Sequence, residues 1–366
     1  MSTLVLITGT GRSGTSTMSG TFHHLGLHVP GPYLGANESN PKGFFESRWA
    51  VRFHKELASR AGINDFDSRP EAIDLARRAV TDDARSRLRE FLEQRSEGHD
   101  QIVVKDPRSV WAQRLWREAA AETGLDIGYV SMLRHPAEVV GSRSTYYASR
   151  KDEAARRSYE TFSVARWING SIVSERETRG EKRAFVAYED LLADWRPVLA
   201  GLAADLDLTY DVDVAGGEAS PVDDFIDPGL RRHRVTWDDL GVPEPLPTLA
   251  EEVWGDLCTL QGAHGEDAAA SADLDDQAES YQRLFTASVD IAHDAVESER
   301  QLILAKAEDR SRPGEPSARV APSSASARAA DVAGDPIDDR SVGEVGGRDL
   351  LKVVASRAKR KLRRGH

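Results

Sequence analysis

The sequence predicts an α/β fold, a single domain in which helices flank a central parallel sheet. Short apolar runs alternate with segments of helical spacing, the pattern of parallel strands joined by crossover helices. A glycine-rich turn stands directly between the first apolar run and the first helical segment. Hydrophobic residues make up 40% of the 366 residues, which is enough for a sizeable core.

Each element is predicted by its own local pattern. Continuous apolar runs predict buried strands at Leu4–Ile7, Ile102–Lys105, Ile127–Leu133 and Ala184–Ala187. Helical spacing predicts helices after the glycine turn, after Asp106 and after Pro136, and over about Arg48–Ala61, Glu71–Gln94, Glu153–Thr178 and Gln277–Lys306. The segment 211–248 holds five prolines and is predicted to be rich in loops.

Composition divides the chain into three segments. Residues 1–306 are predicted to form the α/β domain, and residues 307–348, rich in Ser, Ala, Asp, Gly and Pro, a disordered linker. Residues 349–366 carry seven Lys and Arg against one Asp around an apolar stripe with a four-residue period. This tail is predicted to make weak contact with an anionic membrane surface. The alternatives are a solvated basic segment without a role and a segment that folds back on the acidic body.

Charge and cysteine content exclude several classes of protein. The net charge of −12 argues against a protein that coats nucleic acid. The single Cys258 excludes an internal disulfide and a multi-cysteine metal site. No apolar run approaches eighteen residues, and the run near the N-terminus is too short for a signal peptide, so we expect a cytoplasmic protein.

The glycine turn has the spacing of a phosphate-binding loop. Gly9 to Ser16 fits G-x-x-x-x-G-x-S, with Thr15 where a Walker lysine would stand. Backbone amides and the following helix N-terminus favour an anion here, and Arg12 supplies a charge. The predicted contacts are Gly11, Arg12, Ser13, Gly14, Thr15 and Ser16. The alternatives are a tight turn without a ligand and a kinase-like enzyme, which the missing lysine disfavours; Asp106 is the nearest candidate for a Walker-B aspartate.

A second anion site is predicted where the third strand ends. Arg134 follows that strand, and Ser142 lies eight residues later on the next helix. Ligands of open α/β sheets bind at the carboxyl ends of the strands, where an arginine and a serine can hold one phosphate together. Two separate anion sites indicate a ligand that is phosphorylated at two points.

Taken together, these motifs resemble those of the PAPS-dependent sulfotransferases, which transfer a sulfuryl group from 3′-phosphoadenosine 5′-phosphosulfate (PAPS). The loop at Gly11–Ser16 is similar to that family's 5′-phosphosulfate loop, and Arg134 with Ser142 to its 3′-phosphate motif. Further resemblances lie at Lys105-Asp106-Pro107-Arg108, at Tyr188 to Leu192, which is similar to the family's late strand and turn, and at Arg231 and Arg232, in a loop similar to the one that closes over the nucleotide. The resemblance covers about residues 4–305 and implies a P-loop-like fold, PAPS as co-substrate, the bisphosphate PAP as product, and no metal.

The resemblance also implies catalytic roles. Arg12 and Lys105 would stabilise charge on the leaving oxygen. The loop that ends at Glu46 is similar to one that carries a catalytic glutamate, and Phe44 and Phe45 would desolvate this base; His54 is the second candidate. A small-molecule or glycan acceptor is expected, through a hydroxyl of a carbohydrate, glycolipid or secondary metabolite, with Trp49 and Trp237 as candidate sugar contacts. A binding protein without chemistry stays as an alternative.

Overall fold

The computed structural model describes residues 2–36, 40, 42–149, 151–227, 229 and 234–311. Arg231, Arg232, most of the predicted linker and the whole predicted basic tail lie outside the described residues. The chain divides into two units, Met1–Gln282 and Arg283–His366, and the sheet and the site described below belong to the first.

Four parallel strands form the sheet of the first unit. They are β1 (Thr3–Thr8), β2 (Gln101–Lys105), β3 (Asp126–Leu133) and β4 (Arg183–Ala187), in the order β2-β1-β3-β4. In register, Leu6 of β1 pairs with Val104 of β2 and with Tyr129 of β3. The prediction of an α/β fold with a central parallel sheet is confirmed.

Thirteen helices are assigned within the described residues. They are α1 (Thr15–His24), α2 (Arg48–Ala61), α3 (Ala72–Arg78), α4 (Asp82–Ser96), α5 (Gln113–Glu122), α6 (Pro136–Tyr147), α7 (Glu153–Glu177), α8 (Tyr188–Ala193), α9 (Trp195–Leu206), α10 (Pro221–Phe225), α11 (Leu246–Gly262), α12 (Ala268–Ile291) and α13 (His293–Ser311). A 3₁₀ turn, Pro107–Trp111, lies between β2 and α5.

Alternation along β1 divides the core between the two faces of the sheet. Val5 and Ile7 pack with residues of α1, α8 and α9, whereas Leu4 and Leu6 pack with residues of α2, α4 and α5. All four side chains are fully buried, as expected for a central strand that is covered on both faces.

Several segments differ from the predictions, and one of them, the predicted helix Gln277–Lys306, is two helices, α12 and α13. The predicted helix Glu71–Gln94 is two helices, because the Thr81 hydroxyl accepts from the Ala84 amide and starts α4 anew. The proline-rich stretch ends at α11, whose first turn holds Pro247, a position where proline needs no amide hydrogen. The segment from Tyr188 is α8 rather than a strand and turn.

Neither a membrane-spanning helix nor a metal-binding cluster is found among the described residues. No described helix combines the length and the apolar character that crossing a bilayer requires. In the same part of the chain, no group of three His, Cys, Asp or Glu side chains is arranged to hold a metal ion.

Candidate active site

The glycine turn after β1 leaves no room for a side chain at two of its positions. Gly9 and Gly14 have φ values of 109° and 88°. A Cβ at Gly9 would lie 2.7 Å from the Met132 carbonyl oxygen, and one at Gly14 would lie 2.1 Å from Cδ2 of Tyr188. The turn therefore presses against β3 and α8, and the amides at the N-terminus of α1 remain available to an anion.

The two predicted anion sites meet in the fold rather than lying apart. The Arg12 Nε donates a hydrogen bond of 3.1 Å to the Ser142 Oγ, and its guanidinium lies 4.5 Å from the ring centre of Tyr146. Arg134 donates from Nη1 to the Arg12 carbonyl oxygen at 3.1 Å and from Nε to Glu138 at 3.0 Å. These contacts make one continuous surface of the loop and the end of β3, in which Glu138 offsets the charge of Arg134.

A cavity of about 460 Å³ opens beside this surface, at the carboxyl ends of β3 and β4. Tyr188, Trp237 and Trp254 are the aromatic residues that line the cavity, and Arg134 also lines it. Glu251 of α11 accepts from the indole N–H of Trp237 and lies 2.9 Å from His135 Nε2, so the loop before α11 is fastened to the cavity rim. Burial raises the pKa of Tyr188, which keeps its hydroxyl protonated.

A buried ion pair contacts the glycine turn through Ser16. Lys105, at the end of β2, places its ammonium 2.5 Å from Glu46 Oε1, 2.9 Å from Ser16 Oγ and 3.3 Å from the Phe44 carbonyl oxygen. Lys105 is 2% exposed and Glu46 is 6% exposed. Oε2 of Glu46 makes no hydrogen bond to any described residue. The predicted cation and the predicted base are thus in direct contact, and both adjoin the loop.

The backbone before Glu46 is strained. Phe45 has φ +49°, in the left-handed region that a bulky residue seldom adopts, and its carbonyl accepts from Ser19 of α1 at 3.2 Å. The Leu34 amide donates to the Glu46 carbonyl at 3.0 Å. Backbone strain of this kind costs about 1–3 kcal/mol and is typical of functional sites. It fixes the direction in which the Glu46 side chain leaves the turn.

His54 is occupied by structural contacts and is not placed to act as a base. Its Nδ1 lies 2.8 Å from Asp106 Oδ2, and its Nε2 accepts from the Trp116 indole N–H at 2.8 Å. Arg108 holds the other oxygen of Asp106 at 2.8 Å. Burial alone would raise the pKa of Asp106, but the Arg108 charge and the His54 hydrogen bond hold it well below its usual range.

The Asp106 network predicts a pH-dependent loss of stability. Because the folded pKa of Asp106 is depressed, its contribution is complete above the unfolded pKa of about 3.9 and is lost as the pH falls through the lower folded value. Asp106→Asn should cost about 3 kcal/mol of unfolding free energy at pH 7, since it leaves Arg108 and His54 short of a buried partner. Urea unfolding from pH 7 to pH 3 measures this difference.

The control for this prediction is Asp74→Asn. Asp74 pairs with Arg77 on the surface at 3.1 Å, and such a pair contributes less than about 1 kcal/mol. A difference between wild type and Asp106→Asn that stays constant down to pH 3 would contradict the depressed pKa.

The remaining predicted residues fall in different places. Trp49 stacks on Phe53 and Phe91, with ring centres 4.9 and 4.1 Å away, so it packs against the core and is not a sugar contact. Trp237 lines the cavity. The sequence patterns do not indicate Trp254 and Glu251, because the prolines at and before the start of α11 predict a loop there. They indicate Tyr188 only as part of a strand-end motif.

Comparisons with known proteins find only distant likenesses. A scan against protein-family models finds no match, and a search of curated proteins finds none. Among solved structures, the sulfotransferase domain from the Synechococcus PCC 7002 olefin synthase is 18% identical, with 73% of this chain and 95% of that one covered and a TM-score of 0.38. The sulfotransferase domain from the curacin biosynthetic pathway is 16% identical, with 70% and 98% covered and a TM-score of 0.41. Neither likeness shows the family of this chain, so its function has to follow from the chemistry of its site.

Proposed function

We propose that this protein is a sulfotransferase that moves a sulfuryl group from PAPS to a hydroxyl of a carbohydrate, glycolipid or secondary metabolite. The observation that carries the proposal is the buried contact of Lys105 with both Glu46 and Ser16. It brings a cation, a carboxylate and the phosphate loop to one point. Transfer of a group from a phosphate to a hydroxyl requires a leaving-group cation and a proton acceptor in this arrangement.

The site fits a bisphosphate nucleotide in three respects. The turn at Gly9 and Gly14 exposes amides at the start of α1, and a Cβ would obstruct it at either glycine. Arg134 and Ser142 offer a second set of donors beside Arg12. The adjoining cavity has aromatic walls and a volume within the usual range for small-molecule sites. The loop would hold the 5′-phosphosulfate, Arg134 and Ser142 the 3′-phosphate, and Tyr188 with the tryptophans the base.

The residues around Lys105 would supply the chemistry. PAPS brings an activated sulfuryl group whose leaving phosphate gains negative charge. Lys105 and Arg12 would stabilise that charge, and Lys105 is fixed for this role by Ser16 and the Phe44 carbonyl. Oε2 of Glu46, which has no partner among the described residues, would accept the proton of the acceptor hydroxyl. Burial of the pair keeps water from competing for these contacts.

The kinase alternative is less well supported by the site. The acidic residue that could hold a nucleotide-bound metal at the end of β2 is Asp106, and both of its oxygens are engaged, by His54 and by Arg108. The alternative of a binding protein without chemistry does not account for the strained turn that directs Glu46 at Lys105.

Two measurements test the function. Thermal shift should increase with PAP and not with ATP and magnesium, since both phosphate groups of PAP would meet hydrogen-bond donors around Arg12. Transfer of labelled sulfate from labelled PAPS to a panel of hydroxyl acceptors should then be detectable. Stabilisation by ATP and magnesium alone would favour the kinase, and PAP binding without transfer to any acceptor would favour the binding protein.

Arg134 is expected to select the 3′-phosphate. Arg134→Ala should weaken PAP binding about 10- to 100-fold, the range for a hydrogen bond to a charged group, and should leave adenosine 5′-phosphosulfate binding nearly unchanged. Arg114→Ala is the matched control, because Arg114 also pairs with a glutamate four residues later but lies exposed on α5. Calorimetry with both ligands measures the effect, and equal losses for the two would remove Arg134 from the 3′ site.

Gly141 is expected to let the loop that carries Val235 lie close against α6. A Cβ at Gly141 of α6 would lie 2.6 Å from Val235, in the loop that lines the cavity. Gly141→Ala should displace this loop and weaken PAP binding about tenfold, since overpacking costs about 1–3 kcal/mol. Calorimetry should show recovery in Gly141→Ala/Val235→Ala.

Gly201→Ala is the control for the Gly141 prediction. Gly201 lies in α9 with no atom within 4 Å of its Cβ position, so this variant should bind PAP like wild type. Unchanged PAP binding in Gly141→Ala would mean that the Val235 loop does not shape the nucleotide site.

A further inference from the structure

Arg143 of α6 is a buried arginine that the function described above does not use. It follows Ser142 directly and is 9% exposed. Its guanidinium lies 4.9 Å from the ring centre of Phe66, and its Nη1 lies 3.6 Å from the position that a Cβ at Gly11 would take. The charged end of this side chain therefore lies beside Gly11 of the phosphate loop. Gly11 precedes the amides at the start of α1 in the sequence.

The Arg143 guanidinium has no counter-charge within the part of the chain that the structure describes. It makes no hydrogen bond or ion pair there, and its Nε is buried without a partner. The buried Arg134 and Arg183 differ in this respect, since they pair with Glu138 and Glu175. An unpaired buried charge is costly, so its position beside an anion-binding loop indicates that an anionic ligand supplies the missing partner.

We propose that Arg143 forms a subsite for an oxyanion beside Gly11 of the phosphate loop, and that the ring of Phe66 packs against its guanidinium. The group bound there is a sulfonate, phosphate or carboxylate, because the guanidinium fork matches two oxygens of such a group. Within the proposed function, on which this second step rests, the group is either the sulfonate of the donor or an acidic substituent of the acceptor.

The test uses inorganic sulfate as the probe and Arg143→Met as the variant. Methionine keeps length and apolar packing against Phe66 and removes the charge. Sulfate is titrated by calorimetry into the free protein, the PAP-saturated protein and the PAPS-saturated protein. Arg87→Met is the matched control, because the Arg87 guanidinium also lies near a phenylalanine ring, that of Phe53, but pairs with the surface residue Glu56.

The subsite requires that wild type and Arg87→Met bind sulfate about tenfold or more tightly than Arg143→Met does in the free protein. Where this binding persists with PAP, its loss when PAPS replaces PAP assigns the subsite to the donor sulfonate, and its persistence with PAPS assigns it to the acceptor. Loss already with PAP would place a nucleotide phosphate beside Arg143 and overturn the assignment to the sulfonate or the acceptor. Equal sulfate affinity of wild type and Arg143→Met in every state overturns the proposal.

Thermal unfolding separates a binding role from a structural one. Without ligand, Arg143→Met should melt at or above the wild-type temperature, because the variant no longer buries an unpaired charge. A clear fall in melting temperature together with unchanged sulfate binding would make Arg143 a packing residue and overturn the subsite. If neither PAP nor PAPS binds but Arg143 still determines sulfate binding, the proposed function fails and the subsite stands.

Discussion

Lys105→Met is expected to abolish sulfate transfer and to destabilise the protein. Lys105 contacts Glu46, Ser16 and the Phe44 carbonyl, so its loss removes the cation that contacts both the loop and the proposed base. Loss of one such stabilising group costs about 10²- to 10³-fold in kcat. The Glu46 carboxylate would also be left buried without its partner, which costs about 3–5 kcal/mol of unfolding free energy.

The double variant Glu46→Gln/Lys105→Met distinguishes an ion pair from two independent residues. With the carboxylate neutralised, removal of the ammonium leaves no uncompensated charge, so the double variant should be more stable than Lys105→Met alone. Transfer should stay lost in it, since a general base contributes about 10²- to 10⁴-fold. Urea unfolding and steady-state kinetics on the four proteins of the cycle measure both quantities.

Lys182→Met controls for the loss of a lysine as such. Lys182 pairs with Asp207 at 2.8 Å but lies on the surface, where a pair contributes little. Stability effects of Glu46→Gln and Lys105→Met that simply add in the double variant would show that the two side chains do not interact. Near wild-type transfer by Glu46→Gln with a true acceptor would remove the base assignment.

Local patterns were sufficient for the sheet and for the position of the glycine turn after β1. A central strand such as β1 is buried on both faces, so it is written as an unbroken apolar run. The turn at Gly9 and Gly14 requires positive φ values, which glycine signals in the sequence directly. Helix boundaries were less accessible, because Pro247 is typical of both a loop and a first helical turn.

The contacts that define the site are not recorded in any local pattern. Lys105 and Glu46 are 59 positions apart, and Arg12 and Ser142 are 130 positions apart. The motifs place Lys105 at the end of β2 and Arg12 in the turn after β1, but only packing decides which residues they touch. The assignment of His54 to a structural network likewise depends on burial, which a single sequence does not specify residue by residue. The same holds for Arg143, which has no counter-charge among the residues that the structure describes.

Gly14→Ala is expected to disrupt nucleotide binding. Its Cβ would lie 2.1 Å from the Tyr188 ring, and φ at this position is 88°. The left-handed backbone costs an ordinary residue about 1–2 kcal/mol, and the overlap adds about 1–3 kcal/mol unless Tyr188 or the loop moves. Either movement changes the surface that would hold PAP, so PAP affinity should fall about 100-fold.

Gly124→Ala separates the backbone cost from the overlap. Gly124 has φ 71° and no atom within 4 Å of its Cβ position, and it lies before β3, at the opposite edge of the sheet from the loop. This variant should lose about 1–2 kcal/mol of stability with unchanged PAP affinity. Suppose that Gly14→Ala lost no more stability than Gly124→Ala and bound PAP normally. The Tyr188 ring would then have moved away from the added methyl group without an effect on stability or on PAP binding. The contact between Tyr188 and the phosphate loop would then have no part in nucleotide binding.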